Sequence, residues 1–269
     1  LFLIPARGGS RRVPNKGLRE VAGIPLVSRA ARIARAAAAG LAGGPHRVVC
    51  TTDDPAIAAA AQAWGAEVPF MRSAALATDT ATSVDVALDA LDRLEADGTR
   101  FRALALVQPT SPLTAPADLR AAIEQFDALG GPGVVSVTAS HPAGWHGTLA
   151  AGRSADGPFE PIDGADGPDI LSGAFYVITP ADLRRSGRFV EPGRTVGWRV
   201  ASERSVDVDE ELDLAVAEAL AAAPIRRFEV AGRTIGDGRV FILAEAGVNH
   251  DGDPAIAHRL VDAAADAGA

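Results

Sequence analysis

The chain has 269 residues, 48% of them hydrophobic and 22% charged, enough for one large or two small domains with a real core. Its formal net charge of −8 argues against a generic nucleic-acid binder, no apolar run is long enough to span a membrane, and no signal peptide is visible. One cysteine, Cys50, excludes an internal disulfide and fits a reducing cytoplasm.

The charge is uneven. Residues 1–35 hold eight Lys or Arg and one acidic residue, Glu20, which suggests a small polyanionic ligand for a basic patch. Leu1 to Ile4 read as a short buried strand ended by Pro5. Arg7, Gly8, Gly9, Ser10, Arg11, Arg12 and Lys16 then fall in one loop. Gly8 and Gly9 lack a Cβ, so backbone N–H groups there can turn toward an anion. Arginines supply forked donors for phosphate oxygens, and Lys16 a movable point charge. This is not the Walker A pattern. A solvated basic turn is the competing reading, and composition alone leaves the two even.

Pro25 to Ala39 reads as a helix closed by Gly40, with Arg29, Arg32 and Arg35 on its surface. HRVVCTT (46–52) is a strand, in which Cys50 is a buried small hydrophobe. Asp53-Asp54-Pro55 gives a helix cap followed by proline in the first turn, and Thr52 and Asp53 read as capping residues. The helix runs through Ala56–Trp64, and Glu67–Met71 is a short strand. Residues 72–80 form a loop, in which Asp79 and Thr80 organise the approach to a helix from Thr82 to Ala96. ALALVQ (103–108) is a buried strand, Ala117–Leu129 a helix and VVSVT (134–138) another strand. This alternation predicts a mostly parallel sheet covered on both faces, with ligands beyond the carboxyl ends of its strands.

Residues 139–172, rich in Gly, Pro and Asp, break the rhythm, and a loop of that length points to a function or a partner. AFYVI (174–178), GWRV (197–200) and SVDV (205–208) read as strands, Glu210–Ala223 as a helix ended by Pro224. A domain boundary falls there. The tail reads as a small hairpin, a buried strand and a helix over Ala255–Ala267. Because the chain starts at Leu1 in an apparent strand and stops at Ala269 in an apparent helix, it is expected to be a segment of a longer protein. In SVDVD, strand alternation would put Asp207 and Asp209 on one face, where like charges are costly without a cation between them. Mg²⁺ suits one or two carboxylates plus phosphate oxygens. Capping of the following helix is the other reading of Asp209.

The blocks IPARGGSRRVPNK, TTDD (51–54), MRSAALATDTATS (71–83), LVQPTSPLT (106–114), SGAFYVI (172–178) and VDVDEELDLAVAEAL (206–220), in this order, resemble the N-acylneuraminate cytidylyltransferase (CMP-sialic acid synthetase) family over about residues 1–222. The resemblance implies a three-layer α/β/α nucleotidyltransferase with a Rossmann-like, mostly parallel sheet. It implies an enzyme that transfers CMP from CTP to the anomeric hydroxyl of a sialic-acid-like nonulosonate and releases pyrophosphate, with Mg²⁺ as cofactor. Arg7, Gly8, Gly9, Ser10 and Lys16 would bind the triphosphate, Arg72 and Ser83 the nucleoside, and Gln108 the sugar, although Gln108 by itself could equally anchor a turn. Lys16, Asp207 and Asp209 would be catalytic, the two aspartates holding the metal. CTP and an acidic sugar are the implied ligands, in a cytoplasmic homodimer without nucleic-acid or membrane partners. Residues 1–223 would be the cytidylyltransferase domain, with 139–172 as its dimerisation and sugar-side insertion.

Four departures from the family pattern fall mostly on the sugar side. Gly17 stands where the family has Asn, Thr114 where it has Arg, and Ile170-Leu171-Ser172 where it often has Arg-Pro-Asn. Between Ser140 and Ser172 the only cationic side chain is Arg153. The sugar is therefore expected to be a different nonulosonate. A 3-deoxy-octulosonate-type enzyme and a non-catalytic nucleotide-binding scaffold are the alternatives. Residues 224–269, with AEAGVNHDGD (244–253), resemble the start of a sialic acid synthase, a TIM barrel of which one strand–helix unit is present here; such a unit cannot close a barrel, so no activity is expected of it.

Overall fold

The computed structural model describes residues 1–42, 45–96, 98–131, 133–139, 169–222 and 252–266, with short pieces at 145–146, 160–161, 228–230 and 233–235. It divides into two compact units, Leu1–Ala221 and Ala222–Ala269.

The first unit is built on six strands: β1 (Phe2–Pro5), β4 (Val48–Thr51), β5 (Leu104–Val107), β6 (Val134–Ala139), β9 (Asp169–Ile178) and β10 (Val196–Arg199). Two-residue strands complete the numbering: β2 (Glu20–Val21) with β3 (Ile24–Pro25), and β7 (Trp145–His146) with β8 (Glu160–Pro161), each an antiparallel pair. The sheet order is β10-β6-β9-β5-β1-β4. β1 pairs parallel with both β4 and β5, and β10 pairs parallel with β6. β9 alone runs against its neighbours β5 and β6. The sheet is thus mostly parallel, as the strand–helix alternation predicts.

Period-two alternation assigns side chains to its two faces. Phe2 and Ile4 of β1, with Ala105 and Val107 of β5, join a core shared with α1 (Leu26–Ala39), α2 (Pro55–Ala63) and α4 (Pro116–Ala128). Leu3, Leu104 and Leu106 point the other way, onto α3 (Ser83–Leu94) and α5 (Pro180–Ser186). A third, smaller cluster of Val21, Leu26, Val208, Leu214 and Ala217 seats α6 (Glu211–Ala222). Cys50 is fully buried, and that burial pushes its thiol up to about 12, as befits an inert packing residue.

Local chemistry explains the helix starts. Asp54 caps α2 by accepting from the backbone N–H groups of Ala56 and Ile57, with Pro55 in the first turn. Thr82 and Asp85 form a reciprocal capping box at the start of α3.

Several expectations need correction. Glu67–Met71 is not a strand; Glu67 makes one parallel bridge to Val49. SVDVD is irregular, since residues 205–209 belong to no sheet. β9 starts at Asp169, five residues before AFYVI, and so takes the end of the expected 139–172 irregular stretch into the sheet. The rest of that stretch lies largely outside the described residues. Arg29 is buried rather than on a helix surface: its Nε donates to the Val21 carbonyl at 2.8 Å, and Nη1 to that of Pro112 at 3.4 Å.

In the second unit, β11 (Phe228–Val230) and β12 (Arg233–Ile235) form an antiparallel hairpin, and α7 spans Pro254–Asp266. AEAGVNHDGD lies largely outside the described residues. Among the described residues, no helix is long and apolar enough to cross a membrane.

Candidate active site

Parallel pairing aligns the carboxyl ends of β4, β1 and β5, and each end releases a loop at the same edge of the sheet. A cleft of about 550 Å³ opens there. Arg7, Ser10, Arg11, Arg12 and Lys16 line it from the first loop; Arg72, Asp79 and Ser83 from the segment leading into α3; Gln108, Pro109 and Thr110 from the loop after β5; and Asp209 from the segment before α6.

Lys16 and Asp209 meet across 193 residues of sequence. Asn15 takes a left-handed backbone (φ 53°) just before a short 3₁₀ turn over Lys16–Leu18. The Lys16 ammonium, with only 16% of its side chain exposed, donates to Asp209 Oδ1 at 2.9 Å and to the Val208 carbonyl at 2.8 Å. The Val208 N–H donates in turn to the Thr110 carbonyl at 2.7 Å, so the loop after β5 and the Asp209 segment are pinned together. The Lys16 hydrogen bond, aided by the charges of Lys16 and Arg12, holds the Asp209 carboxyl below the usual carboxylate range. Arg12 Nη2 lies 3.3 Å from Asp209 Oδ2.

Asp207 is differently placed. It does not line the cleft; its carboxyl hydrogen-bonds with Thr110, and its Oδ2 would lie 3.9 Å from a Cβ placed on Gly173. It keeps exposed surface, yet surrounding protein strips enough water to push its carboxyl above the usual range, and the charge of Asp209 adds to this. The Thr110 hydrogen bond and Lys16 oppose the shift. The aspartates therefore couple, but through an irregular turn rather than strand alternation. Among the described residues, no group of three or more His, Cys, Asp or Glu side chains could hold a metal by itself. Two hard oxygen donors beside a cleft lined by cationic side chains are of the kind that suits Mg²⁺, which takes its remaining ligands from phosphate and water.

The glycines have a different task from the one their composition suggests. The Gly8 N–H donates to Asp53 Oδ1 at 3.0 Å, and neither Gly8 nor Gly9 lines the cleft. A Cβ on Gly8 would lie 2.8 Å from Asp54 Oδ2, whereas one on Gly9 would meet nothing within 4 Å. Asp53 is thus a tether for the basic loop rather than a helix cap. Thr52 steadies the same corner, its Oγ1 accepting from the Asp54 N–H at 3.1 Å.

Arg72 is buried although it lines the cleft. Its guanidinium donates to the Thr51 carbonyl and, at 3.3 Å, to Thr51 Oγ1, while its backbone N–H donates to the Thr52 carbonyl at 2.7 Å. Ser83 is the first residue of α3, and Gln108 is anchored by its N–H to the Ala174 carbonyl at 3.0 Å. At Gly17 a Cβ would come within 3.1 Å of Ile57 Cδ1, so any larger residue there must move α2 side chains. Thr114 closes its own turn, Oγ1 donating to the Ser111 carbonyl at 2.9 Å.

Three cleft residues carry more than the sequence reading gave them: Arg11, Arg12 and above all Asp79, which accepts from Arg7 at 2.5 Å and from Arg11 at 2.9 Å. The available signal was the surplus of cations in residues 7–16, which need counter-charges from elsewhere in the chain.

Residues 1–139 match the family described as cytidylyltransferase. The chain is 32% identical over 227 residues to the CMP-N,N'-diacetyllegionaminic acid synthase of Legionella pneumophila, covering 82% of this chain and 95% of that protein. It is 30% identical to the N-acylneuraminate cytidylyltransferase of Oncorhynchus mykiss, over 80% of this chain but only 49% of that longer protein. Among solved structures, CMP:2-keto-3-deoxy-manno-octonic acid synthetase complexed with CTP superposes with a TM-score of 0.56 at 18% identity, covering 82% of this chain and 98% of that one. At that identity the superposition speaks to the α/β nucleotidyltransferase fold.

Proposed function

Because this chain belongs to the cytidylyltransferase family, we propose that it transfers CMP from CTP to the anomeric hydroxyl of a sialic-acid-like nonulosonate, releasing pyrophosphate. The observation that carries the reading is the convergence on one cleft of the basic loop after β1 and the aspartate segment before α6, joined at Lys16 and Asp209. Near end-to-end correspondence with a nonulosonate enzyme favours that sugar class over a 3-deoxy-octulosonate.

In this reading Arg7, Ser10 and Lys16 hold the triphosphate, with Gly8 and Gly9 shaping the loop that presents them. Charge builds on the leaving pyrophosphate as the bond to the α-phosphorus breaks. Fixed cations there stabilise the transition state more than the ground state. Arg72 and Ser83 wall the nucleoside end, Arg72 acting from a buried position, and Gln108 faces the sugar. Asp207 and Asp209 would hold Mg²⁺, which supplies charge neutralisation at phosphate and acidifies a nearby hydroxyl. Before that, Asp209 is paired with Lys16 and Arg12, so the carboxylate is available but not idle.

A homodimer formed through 139–172 belongs to the same proposal, supported by the exposed Ile170 and Leu171 at the start of β9. So does a cytoplasmic setting, which suits a single buried thiol. For 224–269, a hairpin followed by a helix supports the reading as the opening of a sialic acid synthase-like barrel without activity of its own. The test is pyrophosphate release from CTP and Mg²⁺ across a panel of nonulosonates. Release with a legionaminic- or neuraminic-type acid supports the reading; release with none would favour a binding scaffold.

A further inference from the structure

Two carboxylates pair with the cations of the basic loop, and the proposed chemistry uses one of them. Asp209 takes Lys16 on Oδ1 and Arg12 on Oδ2. Asp79, in the segment before α3, takes Arg7 on Oδ1 and Arg11 on Oδ2. All four cations of the loop are therefore already paired, and both carboxylates line the cleft. A triphosphate needs the same donors. Asp209, once displaced, can still serve a metal; Asp79 has no such second task among the contacts around it.

Asp79 is not needed to hold the loop in place. The loop is fixed at one end by the Gly8 N–H on Asp53 and at the other by Lys16 on the Val208 carbonyl. The start of α3 is fixed independently by the Thr82–Asp85 capping box. The Asp79 pairs are also weak enough to give way: the side chains of Arg7, Arg11 and Asp79 are 31%, 85% and 40% exposed. Exposed ion pairs contribute little, whereas a phosphate group offers arginine more charge and more acceptor oxygens.

Resting on the triphosphate reading of the cleft, we infer that Asp79 is an internal stand-in for the distal phosphates. It occupies Arg7 and Arg11 until a triphosphate takes them, and reclaims them as pyrophosphate departs. It thereby lowers the affinity for any ligand that needs those two arginines, pyrophosphate included, and speeds release of the product anion. Asp79 acts through Arg7 and Arg11 and is a positioning residue.

The experiment is calorimetric titration of the full chain with inorganic pyrophosphate and, separately, with CMP, at one fixed ionic strength. Asp79→Asn should bind pyrophosphate roughly three- to tenfold more tightly than wild type, the scale of two exposed ion pairs. CMP affinity should move less than about twofold. Asp79→Glu, which keeps the charge, should restore wild-type pyrophosphate affinity, and Arg11→Ala in the Asp79→Asn background should erase most of the gain. Unchanged or weaker pyrophosphate binding by Asp79→Asn, with binding by wild type intact, would overturn the inference alone and make Asp79 a scaffold. No pyrophosphate binding by either protein would overturn the triphosphate reading, and the inference with it.

Discussion

The carboxyl edge of the central sheet is finished in two different ways. Beyond β4, β1 and β5 the charged groups are matched: Lys16 with Asp209, Arg7 and Arg11 with Asp79, Gly8 with Asp53, Arg72 with Thr51, and Ser111 Oγ is the buried exception there among the described residues. Where β9 runs between β5 and β6, buried polar atoms stand without partners among the described residues: Thr138 Oγ1 on β6, Ser172 Oγ on β9 and Trp198 Nε1 on β10. Ile170 and Leu171 beside them are exposed. A phosphate binder can be completed from loops of one chain, because its counter-charges lie nearby. Among the described residues, the other side carries unmet hydrogen-bonding capacity and exposed apolar side chains. The division coincides with the departures at Ile170-Leu171-Ser172, so the two halves of the proposed site are under different demands.

The largest effect that would break this contrast is at Asp207. Replacing it with Asn should cut turnover by about a thousandfold, the order expected when several kcal/mol of metal-borne charge stabilisation is removed, while CTP affinity stays within about threefold. Pyrophosphate release and CTP titration measure the two. The same variant gives a pH test. The folded protein holds the Asp207 carboxyl above its ordinary value, so it binds that proton more tightly than the unfolded chain. The ionised group therefore costs stability, and the cost appears as pH rises through the raised folded value. Asp207→Asn should melt above wild type at neutral pH, with the difference vanishing below the ordinary aspartate range. Asp209 has the opposite sign: its depressed carboxyl contributes stability at neutral pH that is lost as pH falls through its folded value.

Next is Lys16→Ala, expected to lower kcat/KM for CTP by about a hundredfold, as loss of one fixed donor to a developing anion does. Binding of CMP should change far less. An equal loss for both ligands would place Lys16 at the nucleoside rather than at the triphosphate.

How far the site could be read from the chain follows from which interactions are local. The buried run Leu1–Ile4 and the cap at Asp54-Pro55 depend on neighbours in sequence, and the succession of such strands and helices predicted a mostly parallel α/β unit. The antiparallel insertion of β9 depends on pairing with strands far away, and no local pattern encodes it. Arg29 looked like a surface residue because its partners, the Val21 and Pro112 carbonyls, are backbone groups without a sequence signature. Asp53 read as a helix cap and Asp79 as a loop residue, neither as a partner of Gly8, Arg7 or Arg11, since pairing across 45 and 72 residues is set by the fold. Asp207 and Asp209 were legible as a pair; the strand that was to align them is absent, because Val208 bonds to Thr110 rather than to a sheet.

The glycines sharpen the comparison within the phosphate side. Gly8→Ala forces a Cβ against Asp54, so the loop must shift or the Asp53 tether must break. We expect about a tenfold fall in kcat/KM for CTP, since small displacements of positioning groups are costly to rate. Gly9→Ala meets open space and should stay within about twofold of wild type. Equal effects at both positions would mean that the tether is not what places Arg7.

The smallest effect belongs to the other side of the edge. Thr138 is buried, with a hydroxyl that has no partner among the described residues, and a buried hydroxyl without one costs free energy. Thr138→Val keeps the shape and removes that cost, so stability should be unchanged or rise by about 1 kcal/mol in denaturant unfolding. At Thr114, also buried but with its hydroxyl on the Ser111 carbonyl, the same change should cost about 1 kcal/mol. Both are buried β-branched residues near the sheet edge, and only one has its hydrogen bond made. A loss at Thr138 equal to that at Thr114 would show that its hydroxyl is already satisfied, and the contrast between the two halves of the edge would no longer hold.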